Sequence, residues 1–231
     1  MPTAFILAGF GLVSAALFAA RALRSTGRVR PIWAALISFV LIPVGITFSR
    51  SAAAGYLLGV GILSPGALRR RDGQRLILAA FLVGGLLPAL GTIEGWTARN
   101  ADSPISGSAV NRVATVAQAL PLIAGEPLFG VGPGRTVAAL RDREARVPGS
   151  VGEVNAPHDV PVVIALEAGI PAGVVALALI AALGFRARRA GMMALLCYAI
   201  LLPYLIVDNW PYTSVNGLII AALWAAGSVD S

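Results

Sequence analysis

The chain holds one histidine, and it stands where ionisable groups are costly. His158 lies in NAPHDVPVVIALEAGIPAGV, two residues before an apolar run that opens at Val160, with Asp159 beside it and Glu167 nine positions on. Arg50, in ITFSRSAAAG, and Asp208, in LIVDNWPY, interrupt apolar stretches in the same way. Charged groups at the edge of hydrocarbon are rare, and those that persist tend to mark the paths of substrates or ions. The chemistry open to such a set is anion binding by a guanidinium and proton exchange by an imidazole. Each residue also has a plainer reading. Arg50 would snorkel its head to the lipid headgroups, and His158 would cap a helix at the interface. Glu167 would be a hydrogen-bonded carboxyl joining two helices, and Asp208 would close a helix in a polar turn.

The elements that must position these groups follow from composition. The 231 residues are 57% hydrophobic and 13% charged, with mean hydropathy +0.81. Several apolar stretches reach the roughly 20 residues that a bilayer core demands. The expected fold is all-α, a polytopic membrane protein of seven spans at 3–20, 32–49, 51–68, 76–93, 160–185, 192–207 and 214–227. It divides into spans one to four (1–93), a long loop with short helices (94–157) and spans five to seven (158–231). The net charge of +7 rests on 18 arginines and no lysine. They sit in short loops between apolar runs, which argues against nucleic acid and for membrane orientation. Three clusters mark the cytoplasmic side: Arg21, Arg24, Arg28 and Arg30; then Arg69, Arg70, Arg71 and Arg75; then Arg186, Arg188 and Arg189. The same pattern puts the amino terminus and the segment 94–157 outside. The single Cys197, inside an apolar run, excludes an internal disulfide and reads as packing.

At 64 residues, 94–157 is long for an idle connection. Residues 110–124, VNRVATVAQALPLIA, have helical apolar spacing interrupted by Pro121, which predicts a short amphipathic helix on the membrane surface. The turn EPLFGVGPGRT follows, where Gly130, Gly132 and Gly134 could offer amides to an anion, although most such turns bind nothing. Asp142 and Glu144 have the spacing of a metal pair but read as a solvated charged face, so no metal is assigned.

Taken together, TFSRSA at a span end, NRVATVAQALPLIAGEPLFGVGPG in the loop and then PHDVPVVIALEAGIPAG resemble the carboxyl-terminal part of the O-antigen ligase and polymerase family. That resemblance implies an integral membrane glycosyltransferase of the bacterial inner membrane. Such an enzyme takes a glycan from a polyprenyl diphosphate carrier and joins it to a hydroxyl of a glycan, lipid or protein acceptor at the outer face, without cofactor or metal. Within the resemblance, Arg50 matches the S-R motif, Arg112 opens the amphipathic helix and His158 heads the H-N motif. The two guanidinium groups would then bind the diphosphate and stabilise its developing negative charge. His158 would accept the proton of the attacking hydroxyl, an unperturbed imidazole titrating at about 6.5. Asp208, at the outer end of span six, would orient the imidazole or contact the acceptor. Asp159 stands where the family has asparagine, and an anion beside the imidazole raises its pKa. Glu167 lies about 13 Å along a helix from His158, too far for contact, and is read as structural.

The family has about twelve spans, of which these seven look like the last, so upstream spans are expected to be missing. Two other readings compete. One is a small-anion transporter, with the arginines along the path and His158 as a proton relay. The other is an inactive, truncated member of the family.

Overall fold

The computed structural model describes residues 2–47, 49–69, 72–102, 105–144, 157 and 159–207. All regular structure among them is helical: α1 (Pro2–Arg24), α2 (Val29–Ile46), α3 (Arg50–Leu68), α4 (Asp72–Phe81), α5 (Leu87–Gly91), α6 (Ile93–Asp102), α7 (Ile105–Gly125), α8 (Thr136–Glu144), α9 (Val160–Ala168), α10 (Ile170–Ala190) and α11 (Met192–Val207). A π-helical turn, Leu82–Leu86, joins α4 to α5. Among the described residues, five stretches are long and apolar enough to cross a membrane: Leu7–Arg24, Val29–Ile46, Arg50–Leu68, Asp72–Gly91 and Ile170–Ala190. The first four correspond to the first four expected spans. The sixth expectation meets α11, which at 16 residues is shorter than these five. The seventh, 214–227, lies outside the described residues, as do Arg70 and Arg71 of the second arginine cluster.

The fifth expected span, 160–185, is not one helix. Gly169 ends α9 at φ 90°, a left-handed conformation, and α10 starts at the next residue. Pro171 helps fix the start of α10, since it lacks an N–H but suits a first helical turn. The bend brings Gly173 against Ala165 and the Pro161 carbonyl, where an added Cβ would lie 2.6 Å from the Ala165 Cβ. Glu167 therefore belongs to a short helix that precedes the span, and α10 alone supplies the spanning length.

The chain forms two compact units. One takes in the described residues within 1–102 and 183–204, the other those within 103–182 and 205–210. In the first, α1 buries Ala8, Leu12, Ala15, Ala19 and Ala22, a four-three alternation that faces α2. Small residues on such a seam let helix backbones approach closely, which is how helices associate without a hydrophobic drive in lipid. α2 answers with Ala34, Ile37, Leu41 and Val44. The pair is antiparallel, because Arg30 at the start of α2 donates to the Ala22 and Ser25 carbonyls at the end of α1 (2.7–3.1 Å). Arg75 does the same for α3, donating to the Ala67 carbonyl (2.9 Å). Gly73, at the start of α4, lies beside Leu23 and Arg30, while Gln74 donates to the Met192 sulfur at the start of α11. Residues of all three arginine-rich turns, or next to them, thus meet at one end of this unit. These arginines satisfy carbonyls that a helix end leaves unpaired, and they oppose its negative dipole end. Arg30→Ala is expected to lower stability by about 1–2 kcal/mol, read as a reduced midpoint in thermal unfolding in detergent.

The π turn has a local cause. Ser38 of α2 donates to the Ala80 carbonyl (3.0 Å) and Tyr56 of α3 to the Phe81 carbonyl (2.9 Å). Those are the last two carbonyls of α4, and side-chain donors that enter a helical ladder there displace its regular bonds. Gly84 and Gly85 make room, since a Cβ on the first would run into the Ser38 backbone and on the second into the Tyr56 ring.

Candidate functional site

Arg50 is the first residue of α3, and its position is electrostatically unusual. Ser49, fully buried, is the N-cap: its backbone is extended and its hydroxyl accepts from the Ala52 amide (3.2 Å). A helix amino terminus carries partial positive charge, so a guanidinium there adds like to like, and the pair together favours an anion. α3 separates Arg50 from Arg69 by 19 positions, about 28 Å at 1.5 Å per residue, so Arg50 stands at the other end of α3 from the arginine-rich turns. Near the opposite end of α2, Trp96 of α6 donates its indole N–H to the Gly45 carbonyl (2.9 Å), which ties the start of the following segment to this unit.

In the second unit, α7 packs on α9 through Ala119, Ile123 and Leu166, with Leu122, Val131, Val162 and Ala165 around them. The expected helix 110–124 is longer than its apolar pattern, and Pro121 does not interrupt it. A proline in a helix interior costs about 3 kcal/mol, and here Ala119 and Ile123, two positions before and after it, are both buried in the cluster with Leu166. Tertiary packing outweighs the local preference. Arg143 of α8 donates to the Gln118 carbonyl (2.8 Å), bracing the same stretch.

The glycine turn commits its Gly130, Val131 and Gly132 amides to the protein itself. Gly130, Gly132 and Gly134 do adopt positive φ, at 65°, 99° and 71°. But the Val131 and Gly132 amides donate to the Leu166 and Glu167 carbonyls (2.8 and 3.0 Å), which are the terminal carbonyls of α9. The Gly130 amide donates to the Glu126 carbonyl and the Arg135 amide to the Gly132 carbonyl. Ile170, opening α10, donates to the Pro127 carbonyl (2.8 Å). The turn is therefore a C-cap for α9, supplied by a distant stretch of chain. Its two closest approaches require glycine on both sides: a Cβ on Gly130 would lie 2.5 Å from the Leu166 carbonyl oxygen, and one on Gly169 would collide with the Leu128 carbonyl.

Glu167 completes this joint. Its carboxylate accepts from the Thr136 hydroxyl (2.8 Å), the residues being 6% and 4% exposed. Thr136 opens α8, so the carboxylate lies at the helix end whose dipole favours negative charge. Glu167 is a hydrogen-bonded carboxyl joining two helices, α8 and α9. Sequence reasoning missed its partner, for which the one signal was a hydroxyl residue directly after a glycine turn, a helix-start cue. Thr136→Val keeps the shape but removes the donor from a buried carboxyl, with an expected cost of about 1–3 kcal/mol, measurable as a lower unfolding midpoint.

The carboxyl ends of α7 and α9 meet at the turn. Arg112 lies in α7. His158 and Asp208 lie outside the described residues. Among the described residues no group of three or more His, Cys, Asp or Glu side chains could hold a metal.

These features define a multi-pass, all-α membrane protein in which a glycine turn joins the helices α7, α8 and α9. The profile of the O-antigen ligase family matches residues 33–177, well over half of the chain, and the protein belongs to that family. No curated protein matches it, and no solved structure does.

Proposed function

We propose that the chain is a glycosyltransferase of the bacterial inner membrane that moves a glycan from a polyprenyl diphosphate carrier to an acceptor hydroxyl at the outer face. Membership of the O-antigen ligase family carries this reading, and the matched stretch contains Arg50, Arg112 and His158. Arg50 and Arg112 bind the diphosphate and take up the charge that develops on it as the glycosidic bond breaks. His158 removes the proton of the attacking hydroxyl, and Asp208, beyond the matched stretch, orients the imidazole or the acceptor. One observation supports the role of Arg50: it reinforces the positive end of α3. The guanidinium groups serve where a metal ion otherwise would, and the segment 94–157 faces outward within a seven-span topology.

The helix break at Gly169 does not favour the transport reading. Transporters place broken helices at mid-membrane, whereas this break precedes a 21-residue helix that spans by itself. The decisive experiment reconstitutes the protein in liposomes with a polyprenyl diphosphate-linked glycan and a hydroxyl acceptor. Glycan joined to the acceptor is the expected result. Anion uptake without any joined product would overturn the proposal.

A further inference from the structure

Among the described residues, two of the three most exposed large apolar side chains of the second unit are neighbours in the chain. Leu128 and Phe129, at the tip of the glycine turn, are 64% and 82% exposed, and Ile170, which opens α10, is 45% exposed. Such bulk left outside a protein interior marks a surface that something covers. The tip is also held rigidly in place. The amides on its carboxyl side bond to the end of α9, the Pro127 carbonyl accepts from the Ile170 amide (2.8 Å), and the Leu128 carbonyl abuts Gly169. Leu128 and Phe129 thus lie level with the first residue of a membrane span.

That level fixes what covers them. α10 has 21 residues, which at 1.5 Å each gives about 31 Å, matching the roughly 30 Å of a bilayer hydrocarbon core. Ile170 then falls at the boundary between hydrocarbon and headgroups, and Val174, one turn further and also exposed, falls inside. An aromatic ring at that depth is well accommodated, and burying each such side chain is favourable. We propose that Leu128 and Phe129 form an interfacial anchor that inserts into the outer edge of the bilayer and pins the glycine turn, and with it the end of α9, at a fixed depth. The occupant of this surface is bulk lipid. The inference rests on α10 being a span and is independent of glycan transfer.

Spin labels read the depth directly. In a Cys197→Ala background, Phe129→Cys and Leu128→Cys are labelled with a nitroxide and the protein is placed in phosphatidylglycerol and phosphatidylethanolamine liposomes. Val174→Cys serves as the hydrocarbon reference and the exposed Asp142→Cys as the aqueous one. Relaxation by oxygen relative to a water-soluble nickel chelate should be severalfold higher at 129 and 128 than at 142, and slightly below that at 174. A ratio equal to that at 142 overturns the anchor. So does a label shielded from both reagents, which would mean a protein partner, or one that becomes oxygen-rich only when polyprenyl diphosphate is added, which would mean a groove for the carrier. Using two sites keeps the test intact if one variant fails to fold.

Discussion

Lysine in place of Arg50 is expected to leave the protein inserted and folded while lowering glycan transfer about 100- to 1,000-fold. The charge is retained, so a loss of this size isolates the forked geometry by which a guanidinium holds two phosphate oxygens at once. The position makes the effect large. Arg50 opens α3 beside a fully buried serine cap, where a cation gains nothing from the helix, and the anion of the proposed function would draw on both positive charges. His158→Ala, in the same assay, should reduce transfer to background if its imidazole takes the acceptor proton. Retained transfer in either variant, with membrane insertion verified by monodisperse behaviour in detergent, removes that residue from the mechanism.

The second large effect is structural. Gly169→Ala should destabilise the joint between α9 and the glycine turn by about 2–5 kcal/mol. Left-handed backbone disfavours a side chain by itself, and the added carbon meets the Leu128 carbonyl, a backbone atom with no freedom to rotate away. Protease sensitivity within the turn is the direct measurement: cleavage near Arg135 should appear in the variant under conditions where the parent is resistant. Transfer activity should fall in parallel, because the end of α9 and the start of α10 lose their common anchor. An unchanged digestion pattern would show that the turn and α9 are not coupled as their hydrogen bonds indicate.

Much of the architecture is legible without coordinates. Four of the spans follow from apolar length alone, but Arg50, read from the sequence at the end of the second span, instead opens the third, where Ser49 caps the helix. The structural role of Glu167 was also readable, since it lies too far along a helix to touch His158. Hydropathy is blind to what happens at Gly169, because the run stays apolar on both sides of the break. The cue was stereochemical, a glycine followed two positions later by proline. The glycine turn was legible only in part, for a related reason. Glycine content shows that a backbone bends tightly, but not which carbonyls its amides will find, and those belong to residues more than thirty positions away. Pro121 shows the opposite failure, a strong local signal outweighed by packing on α9.

The π turn between α4 and α5 has a consequence for how this family member tolerates change in length. A helix that carries one surplus residue per turn points everything after it about 100° away from where a regular α-helix would. Excising a single residue from Leu82–Leu86 would restore the ordinary ladder, yet it would swing Thr92 and Trp96 off the Gly45 carbonyl they reach. The surplus residue thus acts as an angular adjustment, setting the azimuth at which the chain departs from its fourth span.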